Sequence, residues 1–351
     1  MSGSPELVPL PYEPASVEAR LGPAWKETLV AAYRWMALAR TLDARMQALQ
    51  RQGRVGFYGA ATGQEAVNVG AGLVSRAEDW VFPGLREQLV ALVRGFPLEE
   101  YAHHLFADDR DAGRGRNMPC HPTARGVHYV SMSSVIGTQI DHAVGAAYAL
   151  RYRHQTGAVL AFFGDGATSS NDFHAGLNFG GVFGLPVVFC CTNNQWAISV
   201  PVSRQTAARS LASKAAEYGF QGRQVDGTDL IAVCSALSTA LDQARTGGGP
   251  TLLEFVLYRM TAHSSSDDPT RYQPTVWAAR AAAHDPVARL EEWMRRFELL
   301  DDSGRATAFA EAEAAVRNAV EGAEATPPPA PESLTEDVYA ADATGPARRG
   351  A

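Results

Sequence analysis

Two apolar runs of the chain, VLAFFGDG at residues 159–166 and VVFCCTNN at residues 187–194, decide its fold. Each run is typical of a strand that is buried on both faces, and the first ends in a sharp, glycine-flanked turn at Asp165. A helical stretch between them completes a βαβ unit of about 30 residues. Asp165 and Asn194 are therefore expected at the carboxyl ends of neighbouring parallel strands, where open α/β sheets bind ligands.

The polar groups at these two strand ends suit a divalent cation. One carboxylate, one amide oxygen and a nearby backbone carbonyl are hard oxygen ligands of the kind that bind Mg²⁺, which usually keeps water and phosphate oxygens in its other positions. Gly166 and the N-terminus of the following helix offer N–H groups to the same anion. The ligand predicted from these residues is a metal-bound diphosphate.

Two other interpretations of the same residues are open. A Gly-Asp-Gly sequence by itself is most often only a turn. The spacing Gly164-x-Gly166-x-x-Ser169 is also close to the fingerprint of nicotinamide dinucleotide binding, which requires an acid about 20 residues further on. The second strand ends in TNN at 192–194 rather than in an acid, so the amide favours a metal over a ribose.

Several motifs together resemble one known family. GDG at 164–166 followed by NNQWAIS at 193–199 resembles the thiamine diphosphate motif. More closely, the chain is similar to the alpha subunit of the decarboxylating first component of 2-oxo acid dehydrogenase complexes. The resemblance implies the α/β thiamine diphosphate-binding fold, with a mostly parallel sheet and helices on both faces. It continues in order along most of the chain, through QGRVGFY at 52–58, GRNMP at 115–119, SSVIGTQ at 133–139 and YRMTAHS at 258–264.

The resemblance gives roles to residues at several points of the chain. Asp165 and Asn194, with the backbone carbonyl of Trp196, match the metal ligands of the family. Arg86 matches an arginine that reaches the diphosphate. The cofactor-binding residues implied in this way are Leu85, Arg86, Ser134, Ile136, Gly164, Asp165, Gly166, Ala167, Asn194 and His263.

Without the resemblance, some of these positions have a plainer interpretation. Arg86 alone is interpreted as a solvated surface arginine, and Ile136 as a buried aliphatic side chain. Ser133, Thr138 and Gln139 match a monovalent-cation site in some relatives, but near a turn such residues are more often local caps.

The chain departs from the family pattern at several positions. Leu85 stands where family members often have a tyrosine, which removes a hydroxyl from the diphosphate side, and Gly84 stands where they often have glutamine or a similar residue. Thr192 stands where some relatives have arginine or glutamine. Ala262 stands where many have a second histidine or a proline.

His263 is the predicted catalytic residue. It follows the carboxyl end of an apolar strand at about 252–258 and opens a polar loop. Histidine can donate, accept or shuttle a proton near neutral pH, and the matching histidine of the family takes part in reductive acylation of the lipoyl group. Most of the nine histidines are expected to be structural, with His121 and His128 left as further cofactor-side candidates.

No residue matches the glutamate that activates the aminopyrimidine ring of the cofactor, which the family carries on a separate beta subunit. The chain is therefore expected to form half of an active site, in an assembly of two alpha and two beta subunits, and to work with a lipoyl-bearing acyltransferase. The motifs around His263 and at 115–119 favour a branched-chain 2-oxo acid as substrate. A pyruvate or acetoin dehydrogenase subunit is an open alternative, as is a non-catalytic subunit that only binds a Mg²⁺ diphosphate.

Length and composition exclude several classes of protein. With 351 residues, a net charge of −7 and no basic stripe, the chain is not expected to bind nucleic acid. No apolar run is long enough to cross a membrane, and the first residues lack the pattern of a secretory signal. The four cysteines show no CxxC spacing and are expected to be reduced thiols of a cytoplasmic protein.

One large domain is predicted between two less regular ends. Residues 1–23, which contain several prolines, are expected to form an extended arm, and residues 24–325 the thiamine diphosphate-binding α/β domain. Residues 326–351 are expected to form a proline-rich linker and a tail. Within the domain, the helix of the βαβ unit is predicted to begin from Asn171 or Asp172 as its N-cap.

Overall fold

The computed structural model describes residues 6–336 of the chain. Its strands are β1 (Trp80–Phe82), β2 (Val159–Gly164), β3 (Val187–Asn193), β4 (Trp196–Ala197), β5 (Val200–Pro201), β6 (Gln221–Asp226) and β7 (Thr251–Val256). Within the described residues, five strands form a parallel sheet in the order β1-β2-β3-β7-β6. The short strands β4 and β5 form a separate antiparallel hairpin.

Helices surround the sheet, and two 3₁₀ turns, Asp165–Ser169 and Val202–Arg204, lie beside the hairpin. In the described part of the chain, no helix is both long and apolar enough to cross a bilayer. The α-helices are α1 (Pro14–Leu21), α2 (Trp25–Arg51), α3 (Glu65–Val74), α4 (Gln88–Val93), α5 (Leu98–Phe106), α6 (Thr138–Tyr152), α7 (Asn171–Val182), α8 (Leu230–Arg245), α9 (Trp277–Ala283), α10 (Pro286–Arg296) and α11 (Asp302–Glu324).

The side chains of each strand alternate between the two faces of the sheet. In β2, Leu160 and Phe162 belong to one apolar cluster with residues of α8, while Ala161 and Phe163 belong to another with residues of α6 and α7. All four side chains are fully buried. This double burial explains why the strand is apolar at every position. The predicted α/β class, a parallel sheet with helices on both faces, is confirmed.

The N-terminal segment is not extended throughout, contrary to the prediction. Residues Pro14–Leu21 form α1, with a proline at its first position and Gly22 at its C-cap with a φ of 84°. Proline has a fixed φ that suits the first turn of a helix, and glycine adopts a positive φ at low cost. Proline and glycine therefore mark the two ends of a helix here, rather than an arm.

The N-cap of α7 is Ser170, so the prediction of Asn171 or Asp172 is wrong by one or two residues. The Ser170 backbone is extended, with a φ of −80° and a ψ of 155°, and its Oγ accepts a hydrogen bond from the Phe173 N–H at 3.2 Å. The helix starts earlier because the preceding 3₁₀ turn already ends at Ser169.

The proline-rich C-terminal segment lies against the long loop between α5 and α6. The Asp109 N–H donates to the Pro327 carbonyl at 2.9 Å, and the Arg116 side chain donates to the Ser333 carbonyl. The tail predicted beyond residue 336 lies outside the described residues.

A buried ion pair joins the start of the sheet to α8. Asp79 is fully buried, and its carboxylate accepts hydrogen bonds from the Arg245 guanidinium. It also accepts from the Arg76 N–H at 2.7 Å and the Ala158 N–H at 2.8 Å. Because Asp79 and Ala158 directly precede β1 and β2, these bonds fix where the two strands enter the sheet.

Replacing Asp79 by alanine should lower the free energy of unfolding by about 3–5 kcal/mol, because the Arg245 guanidinium loses its buried carboxylate partner. Urea denaturation measures this change. Asp242→Ala is the matched control, since Asp242 bonds the same Arg245 at 2.9 Å but its side chain is 60% exposed. The control should cost less than about 1 kcal/mol, and equal losses in the two variants would contradict the structural role of Asp79.

Candidate active site

One cavity of about 540 Å³ lies at the carboxyl ends of β2 and β3. The register of the sheet explains its position, because Gly164 pairs with Thr192 and the chain leaves both strands side by side. A larger groove of about 690 Å³ lies between α2 and α11 and contains none of the predicted site residues. The smaller cavity is lined by all of them: Leu85, Arg86, Ser134, Ile136, Gly164, Asp165, Gly166, Ala167, Asn194, Trp196 and His263.

Asp165 and Asn194 lie on neighbouring turns, and Asp165 is only 1% exposed. Asn194 Oδ1 accepts a hydrogen bond from the Trp196 N–H at 3.2 Å, which holds the amide in place. Burial raises the pKa of the Asp165 carboxyl, and a cation beside it would favour the charged form again. No group of three or more His, Cys, Asp or Glu side chains in the described chain is arranged to hold a metal. A cation site here must therefore use amide and carbonyl oxygens.

The third predicted ligand, the carbonyl of Trp196, is positioned by the β4–β5 hairpin. Its oxygen accepts a hydrogen bond from Arg259 Nη1 at 3.3 Å. A carbonyl oxygen has two lone pairs, so one remains for a cation. The hairpin lies close to the Asp165 turn, since a Cβ added to Gly166 would lie 2.7 Å from the Ala197 Cβ.

Arg86 is buried, with 5% of its surface exposed, so its interpretation as a solvated arginine is wrong. Its Nη1 donates to the Ala60 carbonyl at 2.5 Å, and its Nη2 donates to the His263 carbonyl and lies 3.4 Å from His263 Nδ1. Burial and the positive charge of Arg259 lower the pKa of Arg86 to about 10. A guanidinium desolvated in this way would be stabilised strongly by an anion in the cavity.

His263 opens a loop that a network around Arg259 holds in place. The His263 N–H donates to Asp267 Oδ2 at 2.8 Å, the Tyr272 hydroxyl donates to the same oxygen at 2.5 Å, and Arg259 Nη2 donates to the Tyr272 hydroxyl. Burial, followed by the positive charges of Arg86 and Arg259, lowers the pKa of His263 to about 4. The imidazole is therefore neutral at physiological pH. Because its Nδ1 faces the Arg86 donor, the proton is assigned to Nε2.

His121 and His128, the two loop histidines predicted as cofactor-side candidates, lie in different surroundings. His121 lies beside Ser134, with 2.5 Å between His121 Nε2 and Ser134 Oγ, and its Nδ1 is 2.9 Å from the Pro119 carbonyl. Since a carbonyl only accepts, the neutral form of His121 carries its proton on Nδ1, and the Ser134 hydroxyl then donates to Nε2. His128 instead stacks on Trp80, with ring centroids 4.5 Å apart.

Ile136 is 63% exposed, so its interpretation as a buried aliphatic side chain is wrong. It lines the cavity from the outside together with Met118 and Ile198, which are also exposed. Exposed apolar side chains around a cavity indicate a surface that a ligand or a partner covers.

Three residues of the site have no motif that marks them. Glu87 lines the cavity with 2% of its surface exposed, and burial raises the pKa of its carboxyl to about 7. Gln64 also lines the cavity, and its Oε1 has no hydrogen-bond partner within residues 6–336. Gln205 donates to the Asp165 carboxylate across 40 residues of sequence. Glu87 could have been found from the sequence because it directly follows Arg86. Nothing in the local sequence points to Gln64 or Gln205.

The residues matched to a monovalent-cation site are only partly brought together. Ser133 and Gln139 line the cavity, while Thr138 is the first residue of α6. Gln139 Nε2 donates to the Phe162 carbonyl at 3.0 Å, and in the described chain its buried Oε1 has no partner. A cation at these residues stays a prediction.

Comparison with known proteins places the chain in a family. The profile of the family described as "Dehydrogenase E1 component" matches residues 33–332, which is most of the chain.

Curated relatives agree with this match. The chain is 44% identical over 274 residues to the 3-methyl-2-oxobutanoate dehydrogenase subunit alpha of Mycobacterium tuberculosis, covering 77% of this chain and 71% of that protein. It is 39% identical over 310 residues to the 2-oxoisovalerate dehydrogenase subunit alpha of Bacillus subtilis, covering 88% and 94%. It is 39% identical over 276 residues to the mitochondrial 2-oxoisovalerate dehydrogenase subunit alpha 1 of Arabidopsis thaliana, where the match spans 78% of this chain and 58% of that protein. The chain belongs to the dehydrogenase E1 component family.

Proposed function

We propose that this chain is the alpha subunit of a thiamine diphosphate-dependent 2-oxo acid dehydrogenase that acts on branched-chain 2-oxo acids. One observation carries the proposal: a cavity is lined by every residue that the family resemblance assigns to Mg²⁺, to thiamine diphosphate and to catalysis. In the overall reaction the 2-oxo acid loses CO₂ and its acyl group passes to a lipoyl group on an acyltransferase. The lipoyl disulfide is reduced in this step, because one sulfur takes the acyl group and the other takes a proton.

The donor set of the cavity fits a Mg²⁺ diphosphate. The Asp165 carboxylate, the Asn194 amide oxygen and the Trp196 carbonyl are hard oxygen ligands for the cation. The Arg86 guanidinium suits phosphate oxygens, and its burial keeps competing water away. When bound, thiamine diphosphate supplies the electron sink for decarboxylation.

Ser134 and Ile136 present different surfaces to the rings of the cofactor. With His121 in its neutral form, the Ser134 hydroxyl uses its proton in the bond to Nε2 and offers lone pairs to the cavity. It therefore suits a ligand N–H group, such as a ring amino group, rather than an acceptor. Ile136 offers an exposed apolar side chain against which a ring can pack.

His263 is the group suited to contact the lipoyl group during acyl transfer. Its low pKa keeps the imidazole neutral, and the bond to Asp267 fixes the backbone of the loop that carries it. A neutral imidazole with its proton on Nε2 can donate a hydrogen bond from that nitrogen to a lipoyl sulfur. The proposal therefore places His263 in the acylation step.

The apolar wall of the cavity favours a branched-chain substrate over pyruvate or acetoin. Phe57, Met118, Met132 and Ile198 line it, and apolar side chains of this size suit an aliphatic group larger than methyl. The bacterial relatives are named for 3-methyl-2-oxobutanoate and 2-oxoisovalerate, which are two names for one branched 2-oxo acid.

The partner proposed for this chain is a beta subunit, in a two-fold symmetric assembly of two alpha and two beta chains. An aromatic patch on α6 and α7 supports a large interface. The rings of Phe179 and Phe183 are 4.5 Å apart, and Tyr148 contacts both. Exposed aromatic side chains are enriched where proteins associate. The patch consists of Tyr148, Tyr152, Phe179, Val182 and Phe183, all of which are exposed.

The cysteines support a reducing compartment, and we place the complex in the cytoplasm. All four are free and buried, and burial raises the pKa of the Cys190 and Cys191 thiols. Buried thiols of high pKa are unreactive and need no disulfide partner.

Asp165→Ala should weaken Mg²⁺-dependent binding of thiamine diphosphate more than about a hundredfold. Loss of a residue that only hydrogen-bonds a metal ligand already lowers metal affinity about 10–100-fold, and Asp165 is proposed as a ligand itself. Calorimetry on the complex with the beta subunit measures the affinity. Asp109→Ala, which removes an exposed carboxylate, is the matched control and should bind normally. Unchanged affinity in Asp165→Ala would remove the basis of the proposed site.

His263→Ala should lower the lipoyl-dependent rate by about 100-fold or more, the usual size of a general acid or base contribution. Decarboxylation measured with an artificial electron acceptor should fall much less, because it does not require acyl transfer. Ser266→Ala, an exposed position in the same loop, should affect neither rate. Equal losses of both activities in His263→Ala would indicate a role in cofactor binding or folding instead.

Phe179→Glu should disrupt the assembly with the beta subunit, because it buries a charge in the proposed apolar interface. Analytical ultracentrifugation of the co-expressed subunits should show two alpha and two beta chains for the wild type and smaller species for the variant. Leu334→Glu changes a side chain that is 71% exposed outside the patch and should leave the mass unchanged. Robust decarboxylation by the purified chain alone would defeat the proposed assembly.

A further inference from the structure

Gln205 links the candidate metal site to the β4–β5 hairpin. It directly follows the 3₁₀ turn Val202–Arg204, and its Nε2 donates to Asp165 Oδ2 at 2.6 Å. The same nitrogen donates to the Val200 carbonyl at 3.0 Å. Because a hydrogen bond to a charged acceptor is stronger than a neutral one, the Asp165 carboxylate is held firmly by a residue that no motif marks.

The orientation of the Gln205 amide is fixed by its two acceptors. Nε2 carries two N–H donors, and both face oxygens that only accept, the Asp165 carboxylate and the Val200 carbonyl. Turning the amide over would bring Oε1 against these two oxygens. The amide keeps the donor orientation even though Oε1 is then buried with no partner among residues 6–336. Gln205 therefore always acts as a donor to Asp165.

We propose that Gln205 is a positioning residue that holds the Asp165 carboxylate through one of its oxygens, so that the carboxylate binds the cation through a single oxygen, and thereby favours Mg²⁺ over Ca²⁺. This inference rests on the proposed function of Asp165 as a metal ligand. The bond from Gln205 uses one lone pair of Oδ2 and holds the plane of the carboxylate, which disfavours a geometry in which both oxygens bind the same cation. Mg²⁺ takes single oxygens in a tight octahedron, whereas Ca²⁺ accepts more ligands and often both oxygens of one carboxylate.

The turn that carries Asp165 is held by contacts that do not involve this amide. Thr168 Oγ1 donates to the Asp165 carbonyl at 2.9 Å, and Lys214 Nζ donates to the Thr168 carbonyl at 3.2 Å. On the other side, a Cβ added to Gly166 would lie 2.7 Å from the Ala197 Cβ, so the turn packs against the hairpin. Loss of the amide should therefore free the carboxylate to turn without unfolding its backbone. Discrimination between the two cations depends on rigidity of this kind.

The test compares the two cations in the complex with the beta subunit. Gln205→Met keeps the length of the side chain and removes both donors. Mg²⁺ or Ca²⁺ is titrated at a fixed concentration of thiamine diphosphate, and binding is followed by tryptophan fluorescence, to which Trp196 in the cavity contributes. We expect the Mg²⁺ affinity to fall about 10–100-fold and the Ca²⁺ affinity to fall much less, so that the preference for Mg²⁺ drops by about tenfold. An equal loss for both cations, or no loss for either, would overturn the inference.

Further variants separate this result from a general loss of structure. Gln205→Ala also removes the donors and should shift the preference in the same direction. Gln205→Lys restores a donor, and since its charge weakens both cations alike, the preference for Mg²⁺ should return. Gln243→Met on α8 removes an amide that bonds the Gly248 carbonyl at 3.2 Å, and it should leave both affinities unchanged.

The outcome for Gln205 can be told apart from the outcome for the proposed function. If Asp165→Ala retains Mg²⁺-dependent binding, the cation site lies elsewhere and the proposed function fails. If Asp165→Ala abolishes binding while Gln205→Met keeps the wild-type cation preference, only the role of Gln205 fails.

Discussion

The in-register pairing of β2 with β3 is the constraint on which the candidate site depends. Gly164 lies opposite Thr192, so both strands release the chain at the same edge of the sheet. Strand β7 extends this edge, because the Leu257 N–H donates to the Asn193 carbonyl at 3.0 Å. A slip of one residue would turn every side chain of β2 to the opposite face. The apolar residues between the helices therefore also fix the relation of Asp165 to the turn after β3.

The groups of both charge signs that line or flank the cavity are held away from water. Burial lowers the pKa of Arg86 and Arg259 and raises the pKa of Asp165 and Glu87. Each group is therefore less stable in its charged form than it would be in water. A ligand that brings a metal cation and a diphosphate together can stabilise the acids and the bases at once. A lone anion or a lone cation would satisfy only half of them.

The parts of the fold that the sequence predicted are those with a strong local pattern. Strands β2 and β3 are apolar at consecutive positions, whereas β6 at Gln221–Asp226 is largely exposed and polar and carries no such signal. The candidate site shows the same division. The residues predicted from the motifs line one cavity, but the burial of Arg86 depends on the carbonyls of Ala60, 26 residues earlier, and His263, 177 residues later. Contacts over such distances leave no trace in a local window of sequence, and the bond from Gln205 to Asp165 is of this kind.

The aromatic patch on α6 and α7 also has a consequence for how such a subunit is produced in a cell. Tyr152 is 76% exposed and Val182 is 70% exposed. A folded chain without its proposed partner therefore exposes apolar surface to which other proteins can bind non-specifically. Surfaces of this kind promote aggregation and recruit chaperones. Synthesis of the chain together with its proposed partner, at the same time and place, would shorten the time for which the surface is uncovered. An excess of this chain over its proposed partner would be a burden on protein quality control rather than a reserve of enzyme.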